Sequence, residues 1–448
     1  MERINFPLCY LDEPVSEQQM ILENPYVVDV NEGKIIPCEC LEIVNGKITH
    51  LGSRVDTKAR RLDAKGKFII PGLWDMHVHV VSSAEYAFPQ FLQHGVTGIR
   101  DVGSDLTNTM EWRYNHHPRP RISFAGPILD GFIPLPAFRL FAETAQDVQI
   151  QISTIIRAGA DLVKIHSMLP REAFFAAAER CKNENIPLCG HVPFSVTAFE
   201  ALKAGQKTIE HMLGIPIAVS KDEVSLRKRL QELKTNGIES VELDYLAWKT
   251  KDDQKFHQLV NAFKAAGAYV TPTLIAVKSV CTSQWDADNP LLEKYPNYVR
   301  RNIQQHNDIC NEDPQMEYII AGAQKYMDVC KEMVCALHKA GIPLLAGTDS
   351  AFILEPLEVM VFFGEGIHEE LELLVECGIS PSEALKTATA NAADCLGLSD
   401  CVGSIEPGKL ADMVILSNNP LENISNIRNI EAIVLGGKYY DREALNDL

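Results

Sequence analysis

Eight short apolar runs alternate with longer amphipathic stretches through the middle of this chain of 448 residues. Apolar runs of this length predict buried strands of a parallel sheet, and the stretches between them predict helices. Eight strand–helix repeats in succession favour an α/β fold, a (β/α)8 TIM barrel. Several of the predicted helices end in a glycine that suits a helix cap, at Gly95, Gly205, Gly267 and Gly341. The eight runs are FIIPGLWDMHVHV, GVTGIRDVG, RISFAGPIL, ADLVKIHS, PLCGHV, TIEHM, AYVTPTL and PLLAGTDS.

The two ends of the chain resemble each other and differ from the middle. Both contain short strand-like runs, and the pairs Asn45-Gly46 and Gly436-Gly437 predict tight hairpin turns. We therefore predict a small β-sandwich domain formed by residues 1–70 together with 402–448. The barrel is predicted to occupy residues 71–401.

Two charged helical stretches inside the predicted barrel exceed what eight repeats need, namely residues 219–266 and 281–328. Both stand beside the seventh predicted strand in the sequence. Two interpretations stay open at this point. The stretches either wall or cover the catalytic face, or they pack on the outside of the barrel.

The charge balance excludes one class of partner. With 42 Lys and Arg against 60 Asp and Glu, the net charge is −18, whereas nucleic-acid binding needs a clustered basic surface. No apolar run reaches the roughly 18 residues of a membrane span, and no signal-like stretch opens the sequence. The twelve cysteines are scattered, which favours reduced thiols and a cytoplasmic location. We expect a small-molecule substrate, and self-association into a homo-oligomer stays open.

Polar residues that bind metals stand at the ends of several predicted strands. His77 and His79 are two apart on the first strand, so their side chains point to the same side. His191, His211 and Asp349 end the fifth, sixth and eighth strands, at the face where barrel active sites lie. Each alone suits a plainer role, as a core histidine or a helix cap. Four histidines and one carboxylate on one rim instead predict a site for zinc or a similar divalent ion.

Lys164 ends the fourth predicted strand and is expected to face the same rim. A lysine in a desolvated site beside cations loses its proton easily. The neutral amine can then react with carbon dioxide to give a carbamate, whose two oxygens could bridge two metals. Spacing alone favours the plainer alternative, in which Lys164 anchors substrate or extends its amine toward solvent.

The order of these residues resembles that of the amidohydrolase superfamily: HxH after the first strand, Lys after the fourth, His after the fifth and sixth, and Asp after the eighth. Within this superfamily, the amino-acid sequence is most similar to the branch of imidazolonepropionase-like and Xaa-Pro or Xaa-Arg dipeptidase-like enzymes. The resemblance covers about residues 25–440. Its matching text is PGLWDMHVH, GVTGIRDVG, GADLVKIH, TIEHM, AGTDS and the tail from HEELELLVECGISPSEALKTATANAADCLGL to GSIEPGKLADMVILSNNPLENI.

The resemblance implies a binuclear metal centre with zinc as the first choice. It also implies a hydroxide bridging the two ions as nucleophile, and Asp349 as the base that takes its proton and returns it to the leaving nitrogen. The implied ligands are His77, His79 and Asp349 for the more buried ion, His191 and His211 for the outer ion, and Lys164 as a bridging carbamate.

Three further residues are predicted to contact substrate. His166 is two residues beyond Lys164 and either touches substrate or hydrogen-bonds a ligand residue. Arg100 ends the second strand; its alternative is a scaffolding pair with Asp101 or Asp105. Tyr114 is a weaker candidate whose alternative is simple packing.

The segment after His191, Val192-Pro193-Phe194, is apolar and predicts an apolar rim around the outer metal. Such a rim would suit a large or aromatic leaving group. We expect a metal-dependent hydrolase that cleaves an amide bond in a dipeptide or an N-acyl amino acid. Hydrolysis of a cyclic amide, lactone or phosphoester on the same site is the main alternative. A binding scaffold without activity is disfavoured, because all six implied ligand positions are filled.

Overall fold

The structure is a computed structural model that describes residues 19–81, 83–107, 111–112, 118–132, 138–233, 237–351 and 360–448. The amino-terminal part is built from short strands. They are β1 Gln19–Glu23, β2 Tyr26–Asp29, β3 Lys34–Pro37, β4 Cys40–Val44, β5 Lys47–Gly52, β6 Arg60–Asp63 and β7 Phe68–Pro71.

The middle of the chain contains parallel strands separated by helices. Their order and spacing are those of a strand–helix repeat. The strands are β8 Leu73–His79, β9 Val96–Asp101, β10 Arg121–Phe124, β11 Ile128–Asp130, β12 Arg139–Phe141, β13 Val163–Ile165, β14 Leu188–Gly190, β15 Gln206–Glu210, β16 Tyr269–Thr271 and β17 Ser350–Ala351. The carboxyl-terminal strands are β18 Met413–Leu416, β19 Ile430–Leu435 and β20 Lys438–Asp441.

Backbone hydrogen bonds close the parallel strands into a ring. Strands β8, β9, β10 and β17 form one sheet, and β11 to β16 form the other. The N–H of Asp161 donates to the carbonyl of Phe124 at 2.9 Å, which joins the two sheets on one side. On the other side Val270 pairs with Leu344, and the N–H of Met76 donates to the carbonyl of Ala346 at 2.9 Å. The predicted (β/α)8 barrel is confirmed.

Helices cover the outside of the barrel, and two of them begin with a reciprocal capping box, at Thr144 and Thr197. The four glycines expected at helix ends all have positive φ. The α-helices are Ala84–Gln93, Ala145–Arg157, Arg171–Asn183, Ala198–Ala204, Ile215–Val219, Glu223–Glu232, Ile238–Lys249, Asp253–Ala266, Leu274–Ser279, Asn297–Glu312, Pro314–Lys339, Glu365–Glu376, Pro381–Thr387, Ala390–Cys395 and Arg442–Asn446. Short 3₁₀ helices span Pro290–Lys294 and Ile424–Arg428. Within the described ranges, none of these helices has the length and apolar character to cross a membrane.

Strands from both ends of the chain form two further sheets. One sheet has the order β5-β4-β1-β6 and the other β20-β19-β18-β7-β2-β3. A separate hydrophobic cluster joins Leu22 and Leu41 of the first sheet to Val27, Ile69 and Met413 of the second. The two sheets thus share a core. The exact division of the chain at residues 70 and 402 stays a prediction.

Two of the predicted strands are each divided in the structure. The run from Phe68 splits at Gly72: Phe68–Pro71 pairs with β18 in the terminal sheet, and Leu73–His79 belongs to the barrel. A Cβ at Gly72 would lie 1.9 Å from the hydroxyl oxygen of Thr97, so glycine lets the chain pass from one sheet to the other. The run from Arg121 splits near Gly126, whose φ is 71°, into β10 and β11.

Alternation along the barrel strands decides which side chains enter its interior. Val163, Ile209 and Val270 belong to the main hydrophobic cluster, which includes many helix residues. The residues between or beside them on the strands carry polar groups that are buried, among them Lys164 and Glu210. A barrel interior of this kind holds charges away from water, so each charge needs a partner inside the barrel.

Most of the cysteines are free thiols. Ten are reduced in the described residues, in agreement with the expectation from the sequence. Cys401 is disulfide-bonded, which corrects the expectation that all twelve are reduced.

Candidate metal centre

Six side chains from five strand ends meet at one end of the barrel. Oδ1 of Asp349 lies 3.3 Å from Nε2 of His77 and 3.3 Å from Nε2 of His79. These three residues can offer ligand atoms that all lie within 4.8 Å of one another. Two imidazoles and a carboxylate this close together are a donor set that suits a divalent ion such as zinc.

The other two histidines stand next to this group. The ring of His211 is centred 4.7 Å from that of His77 and 4.9 Å from that of His191. Nζ of Lys164 lies 3.4 Å from Nε2 of His77, in a side chain that is buried. The structure therefore brings together all six residues that the sequence placed at one rim, while their roles as ligands stay predictions.

Each of the four histidines has a partner at Nδ1. The partners are the Glu210 carboxylate for His77 at 2.8 Å, the Gly103 carbonyl for His79 at 3.0 Å, the Ser167 hydroxyl for His191 at 2.8 Å and the Thr273 hydroxyl for His211 at 2.7 Å. A carboxylate and a carbonyl only accept hydrogen bonds, so they fix the proton of His77 and His79 on Nδ1. Nε2 of His77 and Nε2 of His79 are then unprotonated and can offer their lone pairs to a metal.

The surroundings of Thr273 and Gly103 explain their contacts with His211 and His79. The Thr273 hydroxyl lies 2.8 Å from the Pro272 carbonyl and can donate to it, so its oxygen is left to accept from His211. A Cβ at Gly103 would lie 2.7 Å from Nδ1 of His79. Only glycine lets this backbone approach the imidazole so closely.

Burial keeps two of the imidazoles neutral. Burial lowers the pKa of His211 to about 3, although Asp349 acts in the opposite direction. Burial also lowers the pKa of His191 well below its usual range, and neighbouring His166 and Lys164 add to the effect. Neutral imidazoles keep the lone pair that a metal needs.

Lys164 has the electrostatic setting that the carbamate prediction requires. Burial lowers the pKa of its amine, against the opposing charge of Glu210. A lowered pKa increases the neutral fraction of the amine, which is the form that reacts with carbon dioxide.

Glu210 is the supporting residue that the sequence reasoning missed. Burial raises the pKa of its carboxyl, but Arg100 and His77 outweigh burial and hold the pKa well below its usual range. Nη2 of Arg100 donates to Oε1 of Glu210 at 2.9 Å. The signal was the single acidic residue inside the apolar run TIEHM, where a buried charge demands a partner.

Arg100 corrects one of the predicted substrate contacts. Its side chain is buried inside the barrel, and besides Glu210 it donates to the Met76 carbonyl at 2.6 Å and to the Thr208 and Thr271 hydroxyls at 3.1 and 3.2 Å. With these bonds made, the guanidinium is not available to substrate. The alternative pairing with Asp101 or Asp105 is also replaced, because the acidic partner stands on a different strand.

Unusual backbone conformations aim three of the site residues. His211, Thr273 and Asp349 have φ of 57°, 51° and 59°, a left-handed region that costs non-glycine residues about 1–3 kcal/mol. The carboxylate of Asp75 accepts hydrogen bonds from the N–H and hydroxyl of Thr348 at 3.0 and 2.6 Å. This anchor holds the backbone next to Asp349 in place.

His166 has the position that the sequence predicted, beside the ligand histidines. Its ring is centred 4.0 Å from that of His191, and its Nδ1 lies 3.0 Å from Oδ2 of Asp130. Burial lowers the pKa of His166 to about 4, so the ring is neutral near pH 7. It lines the cavity, which is consistent with a substrate contact. Tyr114, the third predicted contact, lies outside the described residues.

A cavity of about 520 Å³ opens above the six residues. This volume is within the range of small-molecule sites. Val241, on the helix Ile238–Lys249, and Tyr326, on the helix Pro314–Lys339, belong to its walls. Both long helical stretches therefore contribute to the wall of the cavity, which decides between the two interpretations that the sequence left open.

Part of the cavity lining is apolar, but not for the reason that the sequence suggested. Val192 and Phe194 are buried in hydrophobic clusters and do not line it. The chain after His191 turns into the protein, away from the opening. The apolar lining comes instead from Val81, Ile128, Phe138, Leu213, Val241, Ala276, Val277, Val280 and Ala351.

The donor set fits divalent metal ions. It consists of four imidazoles whose Nδ1 is already hydrogen-bonded, one carboxylate and one lysine amine, all in the lining of one cavity. Nitrogen and oxygen donors in this combination suit zinc and related ions. Metals here could activate water and polarise a carbonyl at the floor of the cavity.

Known proteins resemble this chain in sequence. Part of the chain matches the imidazolonepropionase of Geobacillus kaustophilus, with 41% identity over 64 residues. The match covers 14% of this chain and only 15% of that relative's length. A 5-methylthioadenosine/S-adenosylhomocysteine deaminase of Bacillus cereus is 22% identical over 432 residues, which covers 91% of this chain and 84% of that protein.

Solved structures share the fold over nearly the whole chain. Bottromycin amidohydrolase superposes with a TM-score of 0.72 at 22% identity, covering 99% of this chain and 92% of that one. A putative prolidase from Bifidobacterium longum gives 0.69 at 20% identity, with 96% and 98% covered. The sequence model named Amidohydrolase family matches residues 68–439, which confirms the resemblance seen in the motifs. The chain therefore belongs to the amidohydrolase family.

Proposed function

We propose that this protein is a metal-dependent hydrolase that cleaves an amide bond in a dipeptide or an N-acyl amino acid. The observation that carries the proposal is the cluster of four histidines, each with a partner at Nδ1, that lines one cavity together with Asp349 and Lys164. The prolidase and the bottromycin amidohydrolase with the same fold are named for chemistry at amide bonds, which supports this choice.

Two divalent ions are proposed, with zinc as the first choice. His77, His79 and Asp349 would hold one ion, and His191 and His211 the other. Lys164, as a carbamate, would supply an oxygen to each. When bound, such ions lower the pKa of water and polarise a carbonyl group.

Asp349 is proposed to move the proton. Burial raises the pKa of its carboxyl, but His77 and His211 outweigh burial and hold the pKa well below its usual range. The carboxylate is therefore ionised near pH 7 and can accept a proton from water as the water attacks the amide carbon. It can then deliver that proton to the leaving nitrogen, so that an amine departs as a neutral group.

The shape of the cavity sets the kind of substrate. Its apolar lining provides room for a hydrophobic side chain or acyl group next to the reacting bond. Tyr326 and Thr273 are among the residues of its walls. A substrate with one hydrophobic part and few polar groups suits this lining better than a highly polar one.

The second candidate is hydrolysis of a ring-containing substrate. It would either remove an amino group from a ring carbon or open a cyclic amide. The deaminase of Bacillus cereus aligns over most of this chain, and the imidazolonepropionase of Geobacillus kaustophilus matches over a short segment. A metal centre that activates water for an amide can also serve a cyclic amide, and a lactone or phosphoester remains within the same chemistry. An amino-purine nucleoside and a cyclic amide therefore belong in the substrate screen.

The test combines metal analysis with a substrate screen. We expect the purified protein to contain up to two equivalents of a divalent metal and to hydrolyse members of a dipeptide and N-acyl amino acid library. A chelator should abolish turnover, and adding zinc should restore it. Turnover confined to the nucleoside or the cyclic amide would replace the proposal with the second candidate. Protein that binds no metal and shows no chelator-sensitive turnover would instead indicate a scaffold.

A further inference from the structure

Arg139 is the one arginine among the described residues that line the cavity. Its side chain is mostly buried, at 14% exposure. Its Nη1 donates to Oδ2 of Asp130 at 2.7 Å. Within the described part of the chain, Nε and Nη2 have no hydrogen-bond partner. These nitrogens are available to a ligand in the cavity.

Asp130 holds the guanidinium in a fixed position. The carboxylate is buried, and its Oδ1 accepts from the N–H groups of Gly131 and Met168 at 2.9 and 3.0 Å. Oδ2 faces Arg139 and Nδ1 of His166. Because Asp130 is itself anchored at both oxygens, it presents Arg139 in one orientation. A fixed guanidinium loses little conformational entropy when it binds an anion.

Arg139 stands close to the metal centre. Its partner Asp130 also contacts His166, whose ring lies 4.0 Å from the proposed ligand His191. The preceding residue, Phe138, has its ring 6.2 Å from that of His79. A molecule of dipeptide size that reaches the centre can therefore also reach Arg139.

One charged residue of the cavity lining has no role in the proposed chemistry. Asp349 is the one carboxylate among the described lining residues, and it is committed to the metal centre. Lys164 is committed to the same centre through its contact with His77. Arg139 thus stands apart as the permanently charged group of the cavity that the proposed chemistry does not use.

We propose that Arg139 binds a carboxylate of the substrate. The inference rests on the proposed function and deepens it, because it assigns the residue that recognises the free carboxylate of a dipeptide or an N-acyl amino acid. Two parallel N–H groups of a guanidinium match the two oxygens of a carboxylate. Leu213, Val277 and Val280 provide the apolar wall for the substrate's hydrophobic part.

A matched pair of compounds tests the carboxylate. N-acetyl-L-phenylalanine carries it, and N-acetyl-L-phenylalaninol replaces it with a neutral hydroxymethyl group while keeping the same amide bond. We expect kcat/KM of the wild-type protein for the acid to exceed that for the alcohol by about tenfold or more. Arg139→Gln should remove most of this preference by lowering kcat/KM for the acid alone, and Arg139→Lys should retain part of it.

The control is Arg171→Gln, which removes an arginine that pairs with Glu200 outside the cavity and is about half exposed. It should leave the ratio of acid to alcohol unchanged. An equal loss for both compounds in Arg139→Gln would overturn the inference, because it would mean that Arg139 only steadies Asp130. No preference for the acid in the wild-type protein would overturn it as well.

A binding measurement separates this inference from the proposed function. Calorimetric titration of Asp349→Asn with N-acetyl-L-phenylalanine reports binding without turnover, and the double variant with Arg139→Gln should bind at least about tenfold more weakly. Arg139-dependent binding without any hydrolysis by the wild-type protein would refute the proposed function and keep the carboxylate site. Binding of the acid that is insensitive to Arg139→Gln, or absent, would refute the carboxylate site.

Discussion

The carboxylate of Glu210 accepts a hydrogen bond from Nδ1 of His77 at 2.8 Å, while its other oxygen is held by Arg100 at 2.9 Å. All three side chains are buried. The contact decides which nitrogen of His77 carries the proton, and so it decides that Nε2 faces Asp349 and Lys164. The buried charge of Glu210 therefore sets the protonation of a proposed metal ligand.

Glu210→Gln should weaken metal binding. The amide can offer an N–H to Nδ1, which would move the proton of His77 to Nε2 and block the ligand atom. Loss of such a partner typically costs about 10–100-fold in metal affinity or activity. Competition against a chromophoric chelator measures the affinity, and an affinity equal to wild type would refute the role given to Glu210.

The same substitution leaves Arg100 buried without its charge partner, which typically costs about 3–5 kcal/mol. Glu200→Gln is the matched control, because it makes the same chemical change in a surface pair with Arg171, where the cost is about 1 kcal/mol or less. If Glu210→Gln does not fold, Thr273→Val gives the same test at His211 without exposing a buried charge. It removes only the hydroxyl at Nδ1 and should also weaken metal binding.

Asp349→Asn should abolish most of the turnover while the protein stays folded. General acid and base catalysis contributes about 10²–10⁴-fold, and the amide cannot take up the proton from water. We expect kcat to fall by that factor, with a circular dichroism spectrum like that of the wild-type protein. A kcat near the wild-type value would rule out Asp349 as the proton carrier.

Lys164→Ala should lower the metal content, because it removes the amine from which the carbamate forms. A short carboxylic acid such as acetate can fill the space and offer two oxygens, so part of the metal content and activity should return when it is added. Lys207→Ala is the control, since Nζ of Lys207 donates to the Gly267 carbonyl at a distance from the six residues. Full metal occupancy in Lys164→Ala without acetate would argue against the carbamate.

Glu365 should contribute stability that depends on pH. Burial raises the pKa of its carboxyl, but the hydrogen bond with His94 and the charge of Arg428 outweigh burial and hold the pKa at about 2. Its unfolded value is about 4.3. The folded state therefore gains stability at every pH above about 4.3, by about 2–3 kcal/mol, and loses this gain as the pH falls toward 2.

The measurement compares the free energy of unfolding of wild type and Glu365→Gln in urea between pH 7 and pH 3. The gap between the two proteins should be largest at neutral pH and should shrink below about pH 4.3. A gap of constant size across this range would show that Arg428 and His94 do not hold the Glu365 carboxylate.

Some of the site could be predicted because it depends only on local geometry. His77 and His79 are two residues apart on a strand, and their rings are indeed centred 5.3 Å apart on one side of it. Lys164 likewise lies between two apolar strand residues that point outward, Val163 and Ile165. Period-two alternation is a property of the extended backbone, so the sequence carries it directly.

The partner of Arg100 could not be predicted in the same way. The sequence offered Asp101 and Asp105 as close neighbours, but the barrel brings Glu210 from the sixth strand to the guanidinium instead. Side chains of adjacent residues on a strand point in opposite directions, so nearness in sequence did not mean contact.

The sequence by itself determined the eight strand–helix repeats, the rim that carries the six proposed metal ligands, and the family. These features follow from apolar periodicity, from alternation along strands and from the order of motifs. Only the tertiary structure decided which partner stands at Nδ1 of each histidine, that Arg100 supports Glu210, and that Arg139 is held by Asp130. Those contacts join residues on different strands, and their distances are set by how the barrel closes, which no local pattern records.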